Sequence, residues 1–307
     1  MAITFYEELH SPHDIFCLYN KAATRLRLLA VSYNNKNVSV STETFNKIII
    51  VPSSSRFFQN YEHIKSLKRS HIIGYDICDN YPVRKPEKCE ELFQLADFIT
   101  CTNVFLKKQI DEYLGYSKPV YVIEDPVWYN FSKPSFNPKE KIEILLYEAG
   151  DEQRKLYIEK TIKEISKRFN VNITLMSRID FMELQFNYNF VKFTVEKQEA
   201  LTKKADFVIL PSDPKDPWLN SKSPNRVVDG LACGTMVIAD KIDSYLPFTP
   251  YAEITDNFVK SMEHCLENRK LTLERIKNGQ VFIKNNFSKK IIRDKWNKLS
   301  HTLTGTN

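Results

Sequence analysis

Short apolar runs alternate with amphipathic stretches along the first part of the chain. The amphipathic stretches carry apolar residues at helical spacing, and they lie at 22–35, 58–69, 86–96 and 103–115. The apolar runs have the length of buried strands, and they lie at 14–19, 38–41, 47–54, 71–79, 97–102 and 119–125. Because buried strands that alternate with helices are typical of βαβ units, the pattern predicts a parallel, doubly wound sheet.

The stretch 126–140 interrupts this rhythm with three prolines and no periodicity, so it is predicted to be a linker. The alternation then restarts. Strands are predicted at 141–149, 171–177, 191–196, 206–211 and 235–240, and helices at 152–169, 255–270, 271–286 and 288–299. The fold class is therefore α/β, with two Rossmann-like domains, 1–127 and 128–287, that would face a cleft.

Composition is that of a globular protein, with 307 residues, 42% hydrophobic and 27% charged. The first 14 residues are acidic without an apolar run, and no apolar stretch reaches about 18 residues, so neither a signal peptide nor a transmembrane helix is expected. The six cysteines show no CxxC pair, which favours reduced thiols in the cytoplasm. The net charge is +6 and comes from dispersed lysines, so it does not indicate a nucleic-acid partner. The same surface could contact the inner face of a membrane peripherally, but an ordinary solvated surface is favoured.

One segment, SPNRVVDGLACGTMVIAD at 223–240, combines a helix start with basic residues. Ser223 suits the N-cap and Pro224 the first helical position, and Gly234 suits a left-handed helix end. The partial positive charge of a helix N-terminus, together with Lys222 and Arg226, fits a phosphate or diphosphate. The alternative is a capped surface helix with two solvated cations.

Asp229 lies between Val228 and Gly230 in a run otherwise suited to burial, where an unpaired carboxylate costs several kcal/mol. A carboxylate can accept from both adjacent hydroxyls of a ribose, and Gly230 and Ala232 leave room for close backbone approach. Two alternatives remain: Asp229 points to solvent, or it pairs with Arg226 three residues earlier.

The segment KSPNRVVDGLACGTMVIAD (222–240) resembles the donor-binding signature of GT-B glycosyltransferases of the group 1, family-four type. In that family a glutamate-bearing helix, followed by an A-x-G-x-P-V segment, binds the nucleotide sugar. The resemblance covers most of 90–300, and FSKKIIRDKWNKL (287–299) is similar to the family's closing helix. It implies a GT-B fold in which the helix 288–303 packs back on the first domain.

Carried over residue by residue, the resemblance puts Asp229 in the place of the ribose-binding glutamate. The family's first glutamate, which contacts the donor sugar, falls on Ser221, and Met236 replaces the usual proline. Diphosphate contacts are assigned to Lys222 and Arg226, and further hydrogen bonds to Ser223 and Asn225. Arg226 is also a catalytic candidate, because neutralising the departing diphosphate is a large electrostatic contribution.

Asp76 and Asp79 end a first-domain strand, so either is a candidate base that activates the acceptor hydroxyl, or a cap of the next turn. Glu196, directly after KFTV at the end of the predicted strand 191–196, is a candidate for base recognition by position alone. Trp218 lies in a polar loop, 212–220, and is a candidate for contact with the donor sugar.

Two further patterns give weaker evidence for a functional site. Arg25 and Arg27 resemble basic residues that the family places near the cleft, although an exposed helical face explains them too. His10 and His13 are spaced H-x-x-H without a nearby third ligand, and no DxD motif occurs, so no metal is expected.

The predicted function is a metal-independent glycosyltransferase, retaining by resemblance. It would take a nucleotide-diphosphate sugar as donor substrate, with no separate cofactor and no nucleic-acid partner. The acceptor would be a hydroxyl of a glycan, a lipid-linked glycan or a protein. Two alternatives share the fold: a noncatalytic nucleotide-sugar-binding protein, and a sugar-nucleotide epimerase, which needs carboxylates and a histidine together. Motifs of dinucleotide oxidoreductases, P-loop proteins and α/β-hydrolases are absent from the sequence.

Overall fold

The computed structural model describes residues 3–6, 38–41, 47–52, 61–80, 86–147, 155–177 and 184–305. The chain divides into two units. Unit 1 comprises Met1–Trp128, Ser221–Ser223 and Asn286–Asn307, and unit 2 comprises Tyr129–Asn220 and Pro224–Asn285. The predicted strand 14–19 and helix 22–35, with Arg25 and Arg27, and the pair His10 and His13 lie outside the described residues.

Unit 1 contains a parallel sheet of six strands in the order β2-β1-β3-β4-β5-β6. The strands are β1 Ile3–Tyr6, β2 Val38–Ser41, β3 Ile48–Pro52, β4 Ile72–Ile77, β5 Phe98–Cys101 and β6 Val120–Val122. Its described helices are α1 Tyr61–Leu67, α2 Pro86–Leu95, α3 Val104–Leu114 and, at the end of the chain, α10 Lys289–Thr304.

Among the described residues of unit 1, buried side chains pack on the sheet in two clusters. One packs residues of α1, α2 and α3 against β3, β4 and β5. The other places Ile292, Trp296 and Leu299 of α10 against Ile48 and Phe98. Trp296 and Phe98 are both fully buried, so α10 is part of the core of this unit although it is distant in sequence.

Unit 2 repeats the architecture with a parallel sheet in the order β12-β11-β10-β7-β8-β9. Its strands are β7 Ile142–Tyr147, β8 Val171–Ser177, β9 Asn189–Lys192, β10 Phe207–Leu210, β11 Met236–Asp240 and β12 Glu253–Thr255. Its helices are α4 Lys155–Arg168, α5 Val195–Lys204, α6 Pro217–Asn220, α7 Asn225–Ala232, α8 Phe258–Glu267 and α9 Arg269–Asn286, with a 3-10 helix at Asp243–Phe248. The order reverses between β7 and β10, and ligands of such sheets bind at the carboxyl ends of the strands at this switch point.

The α/β class and the parallel sheets are confirmed, and the predicted linker 126–140 contains neither helix nor strand. The strand predicted at 191–196 is wrong at its end. β9 stops at Lys192, and Thr194 caps α5 by accepting a hydrogen bond from the Lys197 N–H, so Glu196 lies in the first turn of a helix. The short strands β1 and β12 were not predicted, because each is too brief to show a period.

Among the helices that the structure describes, none is both long and apolar enough to cross a membrane.

Candidate functional site

Helix α7 begins at Asn225, later than the sequence indicates. Pro224 takes the N-cap position, and no side chain caps the helix there. The Ser223 hydroxyl instead donates to Asp125 Oδ2, within unit 1. The prediction that Ser223 caps the helix is therefore wrong, because the helix starts one residue later and Pro224 occupies the N-cap position. The N-cap residue thus offers no side-chain acceptor to the start of α7, although the Val227 N–H bonds to the Pro224 carbonyl. Helix ends that bind anions have such uncapped starts.

Arg226 lies in the first turn of α7 and is half-buried. Its Nη1 donates to the main-chain carbonyl oxygen of Tyr147 at 3.2 Å. Tyr147 is the last residue of β7, so this bond places the guanidinium at the carboxyl end of a switch-point strand. A guanidinium has five N–H donors, and this bond uses one of them.

Asp229 follows Arg226 by about one helical turn, and its surface is only 3% exposed. The alternative that Asp229 points to solvent is therefore wrong. Its charge is close enough to act on two neighbours: the pKa values of the Tyr147 phenol and the Cys233 thiol are raised, mainly by burial and further by Asp229. The Tyr147 hydroxyl also shares a hydrogen bond with Thr202 of α5. Tyr147 therefore connects α5 with the carboxyl end of β7.

The small residues of α7 pack the helix against the sheet. A Cβ added at Gly230 would lie 2.5 Å from Val237 Cγ2, so the space that glycine leaves is filled by β11. Gly234 ends the helix with a φ of +83°, which confirms the predicted left-handed end. The close approach at Gly230 is thus between helix and strand.

The remaining donor-site candidates differ in exposure. Asn225 is the first residue of α7 and is half-buried. Glu196 is exposed in the first turn of α5. Lys222 is half-buried in the segment 221–223 of unit 1, between Ser221, whose carbonyl accepts from Asn103 Nδ2 at 2.9 Å, and Ser223. The backbone on both sides of Lys222 is thus held by hydrogen bonds within unit 1.

The two candidate bases of unit 1 have different surroundings. Asp76 is fully buried in β4, and its Oδ1 accepts from Thr100 Oγ1 of β5 at 2.5 Å. Asp79 is half-buried in the turn that follows the strand. Because Asp76 is enclosed and already links β4 to β5, Asp79 is the better placed of the two to meet a substrate.

Neither a family model nor a curated protein matches this sequence. Solved structures do match. Alr3699/HepE of Anabaena in complex with UDP-glucose has a TM-score of 0.64 at 11% identity, over 99% of this chain and 100% of that chain. A glycosyltransferase from Rickettsia africae ESF-5 has a TM-score of 0.66 at 12% identity, over 100% and 99%. TarM has a TM-score of 0.59 at 15% identity, over 88% and 57%.

The chain has the GT-B glycosyltransferase fold. At these identities the likeness concerns the fold alone. Two of these GT-B structures match over nearly their full length, so the likeness includes both units of the chain and is not confined to one of its sheets.

In this GT-B chain a further polar residue, Asp240, ends β11 and was not among the predicted site residues. Asp240 is 2% exposed, and each of its carboxylate oxygens accepts a hydrogen bond. Oδ1 accepts from Tyr157 Oη of α4 at 2.8 Å, and Oδ2 accepts from the Ser212 N–H at 2.7 Å. The only signal in the sequence was an aspartate at the end of an apolar strand, a place where turn-capping residues are common.

One group of side chains in the described part of this GT-B chain has metal-ligand chemistry: Glu253, His264 and Cys265. The Glu253 carboxylate already pairs with the Arg275 guanidinium, and burial raises the pKa of the Cys265 thiol to about 12. A metal needs the thiolate, which this environment disfavours. Glu253 also begins β12, whereas the ligand end of the sheet is the carboxyl end.

Proposed function

We propose that this protein transfers a sugar from a nucleotide-diphosphate donor to an acceptor hydroxyl. The observation that carries the proposal is the position of Arg226. In a GT-B fold, it lies in the first turn of a helix without a side-chain cap and bonds to the end of β7, beside the switch point. A positive charge and a helix start without a side-chain cap suit the diphosphate of a sugar nucleotide.

In this proposal helix α7 and the residues beside its start bind the donor. Arg226 and Lys222 neutralise the diphosphate, Asn225 contributes a hydrogen bond, and Asp229 accepts from the ribose hydroxyls. Glu196 stays a weaker candidate for base recognition, because it is exposed in α5. Ser223 is removed from the direct contacts, because its hydroxyl already donates to Asp125. Two cations beside the leaving group allow transfer without a metal ion.

Uridine is the base to test first, because Alr3699/HepE was solved with UDP-glucose and the pneumococcal O-GlcNAc transferase GtfA with UDP and GlcNAc.

Unit 1 would bind the acceptor, which is a glycan, a lipid-linked glycan or a protein. We expect retention of configuration, and if the enzyme inverts, Asp79 is the proposed base. The buried thiols of Cys233 and Cys265 fit a reducing cytoplasm, and a peripheral contact with its membrane belongs to the same proposal.

A noncatalytic nucleotide-sugar-binding protein is the second candidate. One observation favours it: Ser221, where the resembling family has a sugar-contacting carboxylate, is a fully buried serine. Such a protein would bind the donor without transferring or hydrolysing it. Donor turnover that is lost in Arg226→Ala would exclude this candidate.

The first experiment is a thermal-shift panel with UDP, GDP, dTDP, ADP and CMP, each with and without EDTA. A ligand at about 100 times its Kd stabilises the folded state by about 2.7 kcal/mol, which is readily seen as a rise in Tm. A rise with one diphosphate, unchanged by EDTA, is the expected result. No rise with any of the five nucleotides would overturn the proposal.

A further inference from the structure

The loop 212–220 follows β10 and includes the short helix α6. Asp240 holds its first residue. This residue, Ser212, donates its backbone N–H to Asp240 Oδ2, while Tyr157 of α4 donates its hydroxyl to Oδ1. Burial, and then the hydrogen bond to Asp240, raise the pKa of Tyr157, so the phenol is a donor well into the alkaline range. One buried carboxylate thus joins the loop, β11 and α4.

The same loop is fastened at its end by a reciprocal pair. The Asp243 N–H donates to Asn220 Oδ1 at 2.8 Å, and Asn220 Nδ2 donates to Asp243 Oδ2 at 3.3 Å. Asp243 begins the 3-10 helix that follows β11, and Asn220 ends α6. Both ends of the stretch 212–220 are therefore held by residues at or just after the carboxyl end of β11.

Between these anchors the loop defines its own shape. Asp213 Oδ1 accepts from the Lys215 N–H at 3.0 Å, and Asp216 Oδ1 accepts from the Trp218 N–H at 2.9 Å. Lys215 is exposed and Trp218 is half-buried. These bonds hold the backbone of the loop, so part of its ordering entropy has been lost before any ligand arrives. The side chains of Lys215 and Trp218 extend from this fixed backbone.

The position of the loop decides which part of a ligand it can meet. The chain leaves β10 at the switch point and, after the loop, continues into the segment that precedes α7. If the diphosphate lies at the start of α7, the group attached beyond it is the sugar, which needs hydroxyl-binding polar groups of the kind that the loop carries.

We infer that Asp240 and Asp243 are positioning residues, which hold the loop 212–220 in the conformation that binds the sugar half of the donor. This inference rests on the proposed function and assigns the two halves of the donor to different parts of the chain. Helix α7 binds the nucleoside diphosphate, and the anchored loop supplies the affinity that depends on the sugar.

The test compares binding of UDP with binding of UDP-glucose by titration calorimetry, in the wild type and in the variants Asp243→Ala and Asp240→Asn. Both variants are expected to bind UDP within about twofold of the wild type. Both are expected to bind UDP-glucose about tenfold more weakly, which corresponds to about 1.4 kcal/mol. Asp243→Asn keeps an acceptor for Asn220 Nδ2 and is expected to restore the affinity for UDP-glucose.

Asp256→Asn is the matched control, since Asp256 is exposed after β12 and pairs only at the surface with Lys241 at 3.1 Å. It is expected to leave both affinities unchanged. Hydrogen exchange without ligand adds a second readout: in Asp243→Ala, amides 212–220 are expected to exchange faster while those of α7 do not.

Equal weakening of UDP and UDP-glucose, or no change for either ligand, would overturn the inference while the proposed function stands. Unchanged exchange of 212–220 in Asp243→Ala would overturn it as well, because the loop would then not depend on its anchor. If the wild type binds no nucleotide in the thermal-shift panel, the proposed function fails, and the inference falls with it.

Discussion

The guanidinium of Arg226 bonds to the carbonyl oxygen of Tyr147, and the two residues are 79 positions apart in the sequence. The bond gives the last carbonyl of β7 a partner and sets the direction of a long, flexible side chain. Because the side chain is oriented before a ligand binds, little of its conformational entropy remains to be lost on binding. The pair therefore links the end of a strand to the proposed anion site.

Replacing Arg226 tests the diphosphate contact. We expect Arg226→Ala to weaken UDP binding about 10- to 100-fold, because a hydrogen bond to a charged group contributes about 1.5–3 kcal/mol. Arg226→Lys keeps the charge but loses the planar donor fork, so an intermediate loss is expected. Titration calorimetry measures both values. Arg168→Ala, which removes an exposed cation of the same unit, is the control; an equal loss there would show only a general charge effect.

The proposed contact between Asp229 and the ribose can be tested by removing a hydroxyl from the ligand. If its carboxylate accepts from both ribose hydroxyls, Asp229→Asn should weaken UDP about tenfold and 2′-deoxy-UDP clearly less, because the deoxy ligand lacks one of the two donors. The comparison is a double-mutant cycle between a residue and a hydroxyl, measured by calorimetry. The same loss for both ligands would contradict the ribose assignment and point to an effect on folding.

Gly230→Ala tests the packing of α7 on β11. The added methyl would overlap Val237 Cγ2, so we expect a loss of about 1–3 kcal/mol in the free energy of unfolding, measured in urea. Val237→Ala removes the obstructing methyl. The double variant should therefore be more stable than the sum of the two single effects predicts. Additive losses would mean that the helix moves away from the strand at little cost.

Because burial raises the pKa of the Cys265 thiol, the free energy of unfolding should change with pH in the alkaline range. In the folded protein the thiol keeps its proton up to about pH 12, whereas in the unfolded chain it ionises near its ordinary value of 9.0. The unfolded state therefore loses protons first as pH rises, and this contribution to stability is complete below pH 9 and is lost towards pH 12.

The measurement is urea unfolding of the wild type and Cys265→Ala from pH 8 to pH 10.5. The stability of the wild type relative to the variant should be constant at the lower end. It should then fall by up to about 1.4 kcal/mol per pH unit above pH 9. A difference that does not vary with pH would contradict the raised pKa.

Much of the fold could be predicted because the relevant signal is local. The apolar run 171–177 is a strand over that whole stretch, and the amphipathic stretch 103–115 is a helix capped by Asn103 and ended by Gly115. Asn103 was not singled out as a cap, yet the helix was predicted from its period alone. The prediction for 191–196 was wrong because a helix cap at Thr194 follows so closely on a short strand that no period develops.

Local patterns in the chain were enough to predict the α/β class, the irregular stretch 126–140 and the end of α7 at Gly234, because hydropathy period and backbone sterics act over a few residues. The bond from the Ser223 hydroxyl to Asp125, 98 positions away, follows from tertiary contacts instead. The tertiary structure likewise decided that Asp240 joins Ser212 to Tyr157. These partners are set by the order of strands in the sheets and by the competition of buried charges for donors, and no local pattern encodes either.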